Sequence, residues 1–176
     1  MIYAGRPERL LPHSAKNLIL IGMPGSGKST IGRLVAERMG RPFVDTDEVI
    51  ETEAGCAIPA IFEQEGEAGF RRRETAVLEA VGKESGLVIA TGGGCVTSGE
   101  NYFYLRRNGI ILWLKRCIAD LPRTGRPLSQ SADLETLYTT RLPCYRRFAH
   151  RAIENVGDPS AAAEQVLEAF YETLSH

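Results

Sequence analysis

Residues 22–29, GMPGSGKS, constrain the fold of this chain more than any other segment. They fit the pattern GxxxxGK[ST], follow an apolar run at residues 17–22 and precede an amphipathic pattern at residues 29–39. Glycines let successive backbone N–H groups turn toward phosphate oxygens, and the N-terminus of the next helix adds a favourable dipole. The segment therefore predicts a strand, a phosphate-binding loop and a helix in succession. A glycine-rich turn without a ligand is the alternative, and the flanking patterns argue against it.

The residue types of this loop fit the chemistry of a nucleoside triphosphate. Lys28 supplies a mobile cation for the β- and γ-phosphates, and the Ser29 hydroxyl can bind Mg²⁺. The residues predicted to bind the nucleotide here are Gly25, Ser26, Gly27, Lys28, Ser29 and Thr30. We expect the chain to bind ATP or GTP together with Mg²⁺.

Short apolar runs alternate with helical patterns along the rest of the chain. The further strand patterns fall at residues 42–45, 87–90 and 110–114, with a weaker one at 151–154. The last helical pattern covers residues 159–174, with an apolar stripe. This alternation predicts an α/β fold with a parallel sheet and helices on both faces. The length of 176 residues, without repeats or linker-like stretches, predicts one domain at residues 17–176 after an N-terminal extension at residues 1–16.

Charge and cysteine content exclude several classes of protein. The chain has 21 Lys and Arg against 22 Asp and Glu, whereas a general nucleic-acid binder is expected to be clearly basic. The longest apolar run near the N-terminus, residues 18–21, is too short for a signal segment or a membrane span. No cysteine pair shows zinc-ligand spacing, so the four cysteines are expected to be reduced thiols in a cytoplasmic protein.

Two carboxylates, Asp45 and Asp47, end the second strand pattern. Ligands of open parallel sheets bind beyond the carboxyl ends of the strands, so both side chains can face the phosphate site. Asp45 is predicted to bind the metal, directly or through water, and Asp47 to reach the hydroxyl of an acceptor. Continued strand geometry would put both on the same side. The alternative for Asp47 is a helix N-cap before residues 48–51, which explains one acid but not two.

Arginines and a second glycine run suggest the acceptor side of a site. Arg71 and Glu74 lie three residues apart on a helical pattern, so they can pair and direct the guanidinium toward a carboxylate. Gly66 and Gly69 are expected to interrupt two helices in this region. Residues 91–94, TGGG, follow a strand and would let a ligand approach the backbone closely. The alternatives are a solvated charged face for the arginines and a flexible turn for the glycines.

Two further arginine clusters follow. Arg123 and Arg126 lie in LPRTGRPL, a segment typical of a mobile loop that carries cations over ATP. Arg141 lies in a helical stretch that starts near Asp133 and that Pro143 is expected to bend. Each cluster alone is ambiguous, but together with a phosphate loop they favour a phosphotransferase over a molecular switch.

In this order the motifs resemble those of shikimate kinases. The resemblance is carried by the phosphate loop, DTD at 45–47, GE-x-x-FR-x-x-E at 66–74, TGGG at 91–94, RPL at 126–128 and R-x-P-x-Y-R at 141–146. It covers about residues 17–172. It implies a three-layer P-loop kinase fold of the nucleoside-monophosphate-kinase type, with a central five-stranded parallel sheet. It further implies a lid at about 115–132 and a small acid-binding helical region at about 46–82.

The activity implied by the resemblance is transfer of the ATP γ-phosphoryl group to the 3-hydroxyl of shikimate, in aromatic amino-acid biosynthesis. The resemblance makes Lys28, Asp47 and Arg126 the catalytic residues and Ser29 a ligand of Mg²⁺. Arg123 and Arg126 would contact the ATP phosphates. The implied contacts to shikimate are Asp47, Arg71, Gly93, Gly94 and Arg141. A cytoplasmic monomer that binds ATP and shikimate, but neither nucleic acid nor membrane, is expected.

The chain departs from the shikimate kinase pattern at two places. Only eleven residues separate Leu114 from Arg126, so the lid is shorter than the usual connection. Residues 155–159 resemble the loop beside adenine, but Gly157 stands where such families often have an arginine. A related kinase for another hydroxy acid, such as gluconate, and a noncatalytic nucleotide-binding module remain as alternatives.

Overall fold

Strands and helices alternate through residues 16–121 and 134–175, the parts of the chain that the computed structural model describes. The strands are β1 (Asn17–Ile21), β2 (Phe43–Asp45), β3 (Val88–Ala90), β4 (Gly109–Lys115) and β5 (Arg151–Glu154). The helices are α1 (Lys28–Met39), α2 (Thr46–Ala54), α3 (Ile58–Lys83), α4 (Gly99–Arg107), α5 (Leu134–Phe148) and α6 (Pro159–Leu174). Short 3₁₀ helices lie at Cys95–Thr97 and Ile118–Asp120. The predicted strands are all present, with ends that differ by at most one residue.

The strands form one five-stranded parallel sheet in the order β2–β3–β1–β4–β5. The central strand β1 pairs with β3, where Leu20 lies opposite Ala90, and with β4, where Ile21 lies opposite Trp113. The outer strand β2 pairs with β3 and ends with Asp45 opposite Ala90. Because parallel strands share one direction, the segments that follow them meet at the same edge of the sheet. The predicted α/β class and parallel sheet are confirmed.

Successive side chains of β1 point to opposite faces of the sheet, and every residue of this strand is buried. Leu18 and Leu20 pack on one face with residues of α1 and α6. Ile19 and Ile21 pack on the other face with residues of α3 and α5. Burial of one such aliphatic side chain contributes about 1.5–3 kcal/mol. Helices therefore cover both faces of the sheet, which gives the predicted three layers.

The two glycines predicted to interrupt helices behave differently. Gly66 has φ 69° and ψ −178°, so it breaks the helical path and kinks α3. The prediction for Gly69 is wrong, because this residue is helical and buried within α3. A Cβ at Gly69 would overlap the side chain of Glu65, so packing across the kink requires a residue without a side chain. Arg73 also bridges the kink, since its Nη2 donates to Oε1 of Glu65 at 2.7 Å.

Some predicted features fall on residues that lie outside the described parts. These features are the extension at residues 1–16, apart from Lys16, and most of the lid at about 115–132. The bounds of the extension, the lid and the acid-binding region stay predictions. Within the described residues, no helix is both long and apolar enough to cross a membrane. All four cysteines are free thiols, as expected.

Candidate active site

The phosphate loop connects β1 to α1 through a tight backbone turn. Gly25 and Gly27 have φ values of 77° and 96°, a region that side-chain-bearing residues rarely adopt. The Ser26 N–H donates to the Met23 carbonyl at 3.1 Å and closes the turn. The helix begins at Lys28, one residue before the predicted start, so the N–H groups of its first turn lie directly after the loop.

Lys28 is only 6% exposed and lies against this loop. Its Nζ donates to the carbonyl oxygens of Gly22 and Met23, each at 2.9 Å. The loop is also held from the segment after β5, where Nδ2 of Asn155 donates to the Ser26 carbonyl at 2.8 Å. No local pattern indicates this contact of Asn155, because it joins residues far apart in the chain.

Asp45 is bonded on both sides of its carboxylate. Its Oδ1 accepts the Asp47 N–H at 3.0 Å, which makes Asp45 the N-cap of α2. Its Oδ2 accepts the Ser29 hydroxyl at 2.5 Å. The alternative prediction, that Asp47 caps this helix, is therefore wrong. The strand geometry assumed for both acids also ends at Asp45, because α2 begins at Thr46.

Gly92 separates the carboxylates of Asp47 and Glu74. Its N–H donates to Oγ1 of Thr46 at 3.2 Å, which fixes its backbone. A Cβ at Gly92 would lie 2.8 Å from Oδ1 of Asp47 and 2.8 Å from Oε1 of Glu74. The backbone therefore passes between two acids with no space for a side chain. The alternative prediction for this segment was a flexible turn. The close packing at Gly92 does not agree with it.

The next two glycines approach other parts of the site just as closely. A Cβ at Gly93 would lie 2.6 Å from Cδ of Pro24 in the phosphate loop, and a Cβ at Gly94 would overlap the guanidinium of Arg71. Within the described residues, neither Gly93 nor Gly94 donates its N–H to another residue. We call residues 92–94 the glycine segment, and it connects the phosphate loop to the arginine side of the site.

Arg71 pairs with Glu74 as predicted. Its Nη1 lies 2.7 Å from Oε2 of Glu74, and its Nη2 lies 3.4 Å from Oε1 of Glu67. Burial opposes the charged form of Arg71, but these carboxylates outweigh it and raise the pKa of the guanidinium. Burial raises the pKa of Glu74 despite the opposing effect of Arg71. These ion pairs fix the direction of the Arg71 guanidinium. The neighbouring Arg72 is exposed, which agrees with the alternative prediction of a solvated charged face for that residue.

Helix α5 contributes Arg141 and Tyr145, which lie one turn apart. Arg141 is 5% exposed and Tyr145 is fully buried. The Tyr145 hydroxyl donates to the Gly93 carbonyl at 2.6 Å, and its ring stacks on Trp113 with centroids 5.5 Å apart. Tyr145 belongs to the motif at residues 141–146, but no role for it was predicted. Its four-residue spacing from Arg141 on a helical pattern could have placed both on one helix face.

One cavity of about 520 Å³ brings most of the predicted residues together. Those that line it are Gly25, Gly27, Lys28, Ser29, Thr30, Asp45, Asp47, Arg71, Gly93, Gly94 and Arg141. Ser26 does not line it, because its side chain is fully buried beneath the loop. Arg123 and Arg126 lie outside the described residues.

The cavity also has an apolar wall, which was not predicted from the sequence. Phe62 and Phe70 stack with ring centroids 4.8 Å apart, and both line the cavity. They belong to the two halves of α3, on either side of the kink at Gly66. The Arg71 guanidinium lies 5.3 Å from the centroid of the Phe70 ring, so apolar and charged groups stand side by side in this cavity. Such a lining favours a small acceptor with a hydrocarbon ring or chain as well as polar substituents.

A parallel sheet with a phosphate loop after its central strand, and with acids and arginines at the same edge, defines a P-loop kinase. Such an enzyme is an ATP-dependent phosphotransferase. The sequence model of one family, described as shikimate kinase, matches residues 24–172. The chain belongs to the shikimate kinase family, so the acceptor is an alcohol group.

Individual relatives agree with this assignment. The chain is 44% identical over 167 residues to a shikimate kinase of Synechococcus sp. (strain CC9605), covering 88% of this chain and 82% of the relative. It is similar to the structure of shikimate kinase from Acinetobacter baumannii in complex with shikimate, with a TM-score of 0.84, 38% identity and coverage of 92% and 96%. A gluconokinase from Sinorhizobium meliloti 1021 has a TM-score of 0.59 at 17% identity, a likeness that shows the fold alone.

Proposed function

We propose that this chain transfers the γ-phosphoryl group of ATP to the 3-hydroxyl of shikimate, giving 3-phosphoshikimate and ADP. The observation that carries the proposal is a single cavity lined by the phosphate loop, by Asp47 and by the two arginines Arg71 and Arg141. Such a cavity offers a donor site, a proton acceptor and a carboxylate site within reach of one another. Transfer of a phosphoryl group to a hydroxy acid requires these three parts.

The donor side binds the phosphates through backbone N–H groups of residues 25–30 and through Lys28. Asp45 and Ser29 would hold Mg²⁺, since carboxylate and hydroxyl oxygens are the ligands that this ion prefers. Within the described residues, no cluster of three or more acids, histidines or cysteines could hold a metal, so phosphates and water must complete the coordination. When bound, Mg²⁺ neutralises part of the phosphate charge. Arg123 and Arg126 remain proposed contacts to the ATP phosphates.

The acceptor side recognises the carboxylate of shikimate. Arg71 and Arg141 form charge-assisted hydrogen bonds with it, and the N–H groups of Gly93 and Gly94 are available to the acceptor. Phe70 lies beside Arg71 and packs against the ring of the acceptor. Gripping the carboxylate fixes the position of the 3-hydroxyl relative to the γ-phosphate, which converts binding energy into orientation.

Transfer then requires the hydroxyl to lose its proton as its oxygen attacks phosphorus. Asp47 accepts this proton, the new O–P bond forms, and the bond from phosphorus to the bridging oxygen of ADP breaks. Lys28 stabilises the negative charge that develops on the transferring group and on the leaving ADP. The carboxylates of Asp47 and Glu74 both lie beside the backbone of Gly92, so this glycine fixes the space that the proton acceptor occupies.

The test is ADP release measured with shikimate, quinate, gluconate or a nucleoside monophosphate as the acceptor. We expect release that depends on shikimate, and a Lys28→Ala preparation serves as the control for contaminating kinases. Release with gluconate alone would favour the kinase of another hydroxy acid. Nucleotide binding without release would favour a noncatalytic module. Hydrolysis that is independent of every acceptor would contradict both kinase functions.

We further propose a cytoplasmic monomer that binds neither nucleic acid nor membranes. The balance of 21 basic and 22 acidic residues and the four free thiols support this proposal. Size-exclusion chromatography with light scattering tests the oligomeric state, and a dimer mass would contradict it.

A further inference from the structure

Arg116, which follows β4, lies between two cavities. It lines the cavity of about 520 Å³ described above and also a smaller one of about 160 Å³. The smaller cavity is lined by residues of the phosphate loop and of the segment after β5, together with Arg116 and Asp120. Among its described lining residues Arg116 is the only cation and Asp120 the only acid. The two cavities also share Gly27 and Thr30 of the phosphate loop, so they meet at this loop.

The strand register explains this position. Ile21 lies opposite Trp113, so the segment after β4 runs beside the phosphate loop that follows β1. On the other side, Lys115 lies opposite Glu154, and the Asn155 N–H donates to the Lys115 carbonyl at 2.7 Å. Arg116 therefore stands between the phosphate loop and the segment after β5, at the carboxyl edge of the sheet.

The guanidinium of Arg116 is exposed, and no hydrogen bond or ion pair joins it to another residue in the described parts of the chain. The other cations of the larger cavity are already engaged or buried. Lys28 donates to two carbonyls, Arg71 pairs with Glu74, and Arg141 is 5% exposed. Arg116 is thus available to an incoming anion without the loss of an existing contact.

We propose that Arg116 binds the phosphate chain of the nucleotide where it passes from the smaller cavity, which holds the nucleoside, to the phosphate loop. The inference rests on the nucleotide-dependent function proposed above. A guanidinium suits this position, because its planar set of donors can contact two phosphate oxygens at once. It acts on binding of the nucleotide and not on recognition of the acceptor.

The smaller cavity allows a second contact that the experiment must separate from the first. A guanidinium can also stack on the face of a purine, and such a contact would not depend on phosphate. Adenosine carries the base without phosphates, whereas ADP carries both. Comparison of the two ligands therefore distinguishes binding of the phosphate chain from binding of the base.

The experiment measures the Kd of ADP by calorimetry and the inhibition constant of adenosine against ATP, for the unmodified chain, Arg116→Ala and Arg107→Ala. Arg107 is an exposed arginine that ends α4 just before β4, at the opposite edge of the sheet, and its removal changes net charge equally. We expect Arg116→Ala to raise the Kd of ADP about 10-fold, as for one lost charge-assisted hydrogen bond. Adenosine inhibition, the KM of shikimate and the Arg107→Ala variant should be unchanged.

Three results would overturn the inference. If the Kd of ADP is unchanged in Arg116→Ala while the unmodified chain binds ADP and turns over normally, the inference about Arg116 is wrong and the proposed function still stands. Equal weakening of ADP and adenosine overturns the phosphate contact and assigns Arg116 to the base. Absence of ADP binding in the unmodified chain overturns the proposed function, and the inference falls with it. The Kd of ADP is also measured for Arg116→Gln, which removes the same charge but keeps a long polar side chain. The same rise in both variants shows that the effect of Arg116→Ala is not a folding defect.

Discussion

At the scale of single residues, Asp45 serves both the local fold and the site. One oxygen caps α2, and the other accepts the hydroxyl of Ser29. A helix cap is worth about 1 kcal/mol, so a change that removes both oxygens would mix a folding effect with a chemical one. Asparagine separates them, because its amide oxygen can still cap the helix while the negative charge is lost.

We therefore expect Asp45→Asn to keep its thermal stability and to need more Mg²⁺ for half-maximal activity, by about 10-fold or more, as for groups that support a metal site. Titration of ADP release with Mg²⁺ measures this requirement. Asp158→Asn is the matched control, because Asp158 caps α6 through the Ser160 N–H at 3.1 Å. An equal shift in both variants would remove the metal role from Asp45.

Arg71→Lys tests recognition of the acceptor. Lysine keeps the charge but loses the planar fork, so it cannot both pair with Glu74 and form two hydrogen bonds to a carboxylate. We expect the KM of shikimate to rise about 10-fold or more, as for one lost charge-assisted hydrogen bond, with the KM of ATP almost unchanged. Initial rates against each substrate give the answer, and exposed Arg72→Lys is the control. A rise in the KM of ATP alone would assign Arg71 to the phosphates.

The sequence was most informative about residues whose role depends on local spacing. The phosphate loop and the pair Arg71–Glu74 could be predicted because their partners lie a few positions away in the chain. Asn155, which holds the phosphate loop, could not be found this way. Its contact to Ser26 depends on the arrangement of β1, β4 and β5, a property of the whole sheet.

At the scale of elements, Tyr145 connects α5 to the glycine segment. Its hydroxyl holds the Gly93 carbonyl while Arg141, one turn away, lines the cavity. Tyr145→Phe keeps the stacked ring but leaves that buried carbonyl without its donor. An unsatisfied buried group costs about 1–3 kcal/mol, and part of this cost appears as altered placement of the segment.

We expect Tyr145→Phe to raise the KM of shikimate several-fold, by roughly 3- to 10-fold for about 1 kcal/mol of lost positioning. The KM of ATP should change little. Tyr138→Phe, on the same helix, is the matched control. A variant that loses thermal stability but keeps its KM values would make Tyr145 a purely structural residue.

The elements themselves were predicted well where apolar patterns are continuous, as in β1, or amphipathic, as in α6. The error at Gly69 has a physical reason. Glycine lowers helix propensity, but here the packing of Glu65 against the same turn outweighs that preference. Tertiary contacts of this kind leave no trace in a local pattern.

At the scale of the whole molecule, His150 couples the stability of the sheet to pH. The Ile111 N–H donates to Nδ1 of His150 at 3.0 Å, so the imidazole must be neutral on that side. Burial, helped by Arg106, lowers the pKa of His150 below its usual value of about 6.5. Between the lowered pKa and this usual value the unfolded chain binds more protons than the folded chain. The free energy of unfolding therefore rises with pH there.

We expect the free energy of unfolding to fall as the pH is lowered from 7 to 5, with a contribution from His150 of at most about 1.4 kcal/mol per pH unit. In His150→Asn an amide oxygen can replace Nδ1 without titrating, so this contribution should vanish. Urea unfolding at several pH values measures the difference between the two proteins. Parallel pH profiles would show that His150 does not titrate in this range.

The glycine segment restricts how this enzyme can change by evolution. Every single-base change that alters a glycine codon to another amino acid adds at least a Cβ, and in this segment a Cβ meets Asp47, Pro24 or Arg71. Variation there disturbs the proton acceptor, the phosphate loop or the carboxylate site before it alters preference for an acceptor. Phe62 is less constrained, because it is only half-buried and an apolar side chain of similar size can replace its ring against Phe70. New acceptors for this lineage therefore arise through the apolar wall, while the glycines remain fixed.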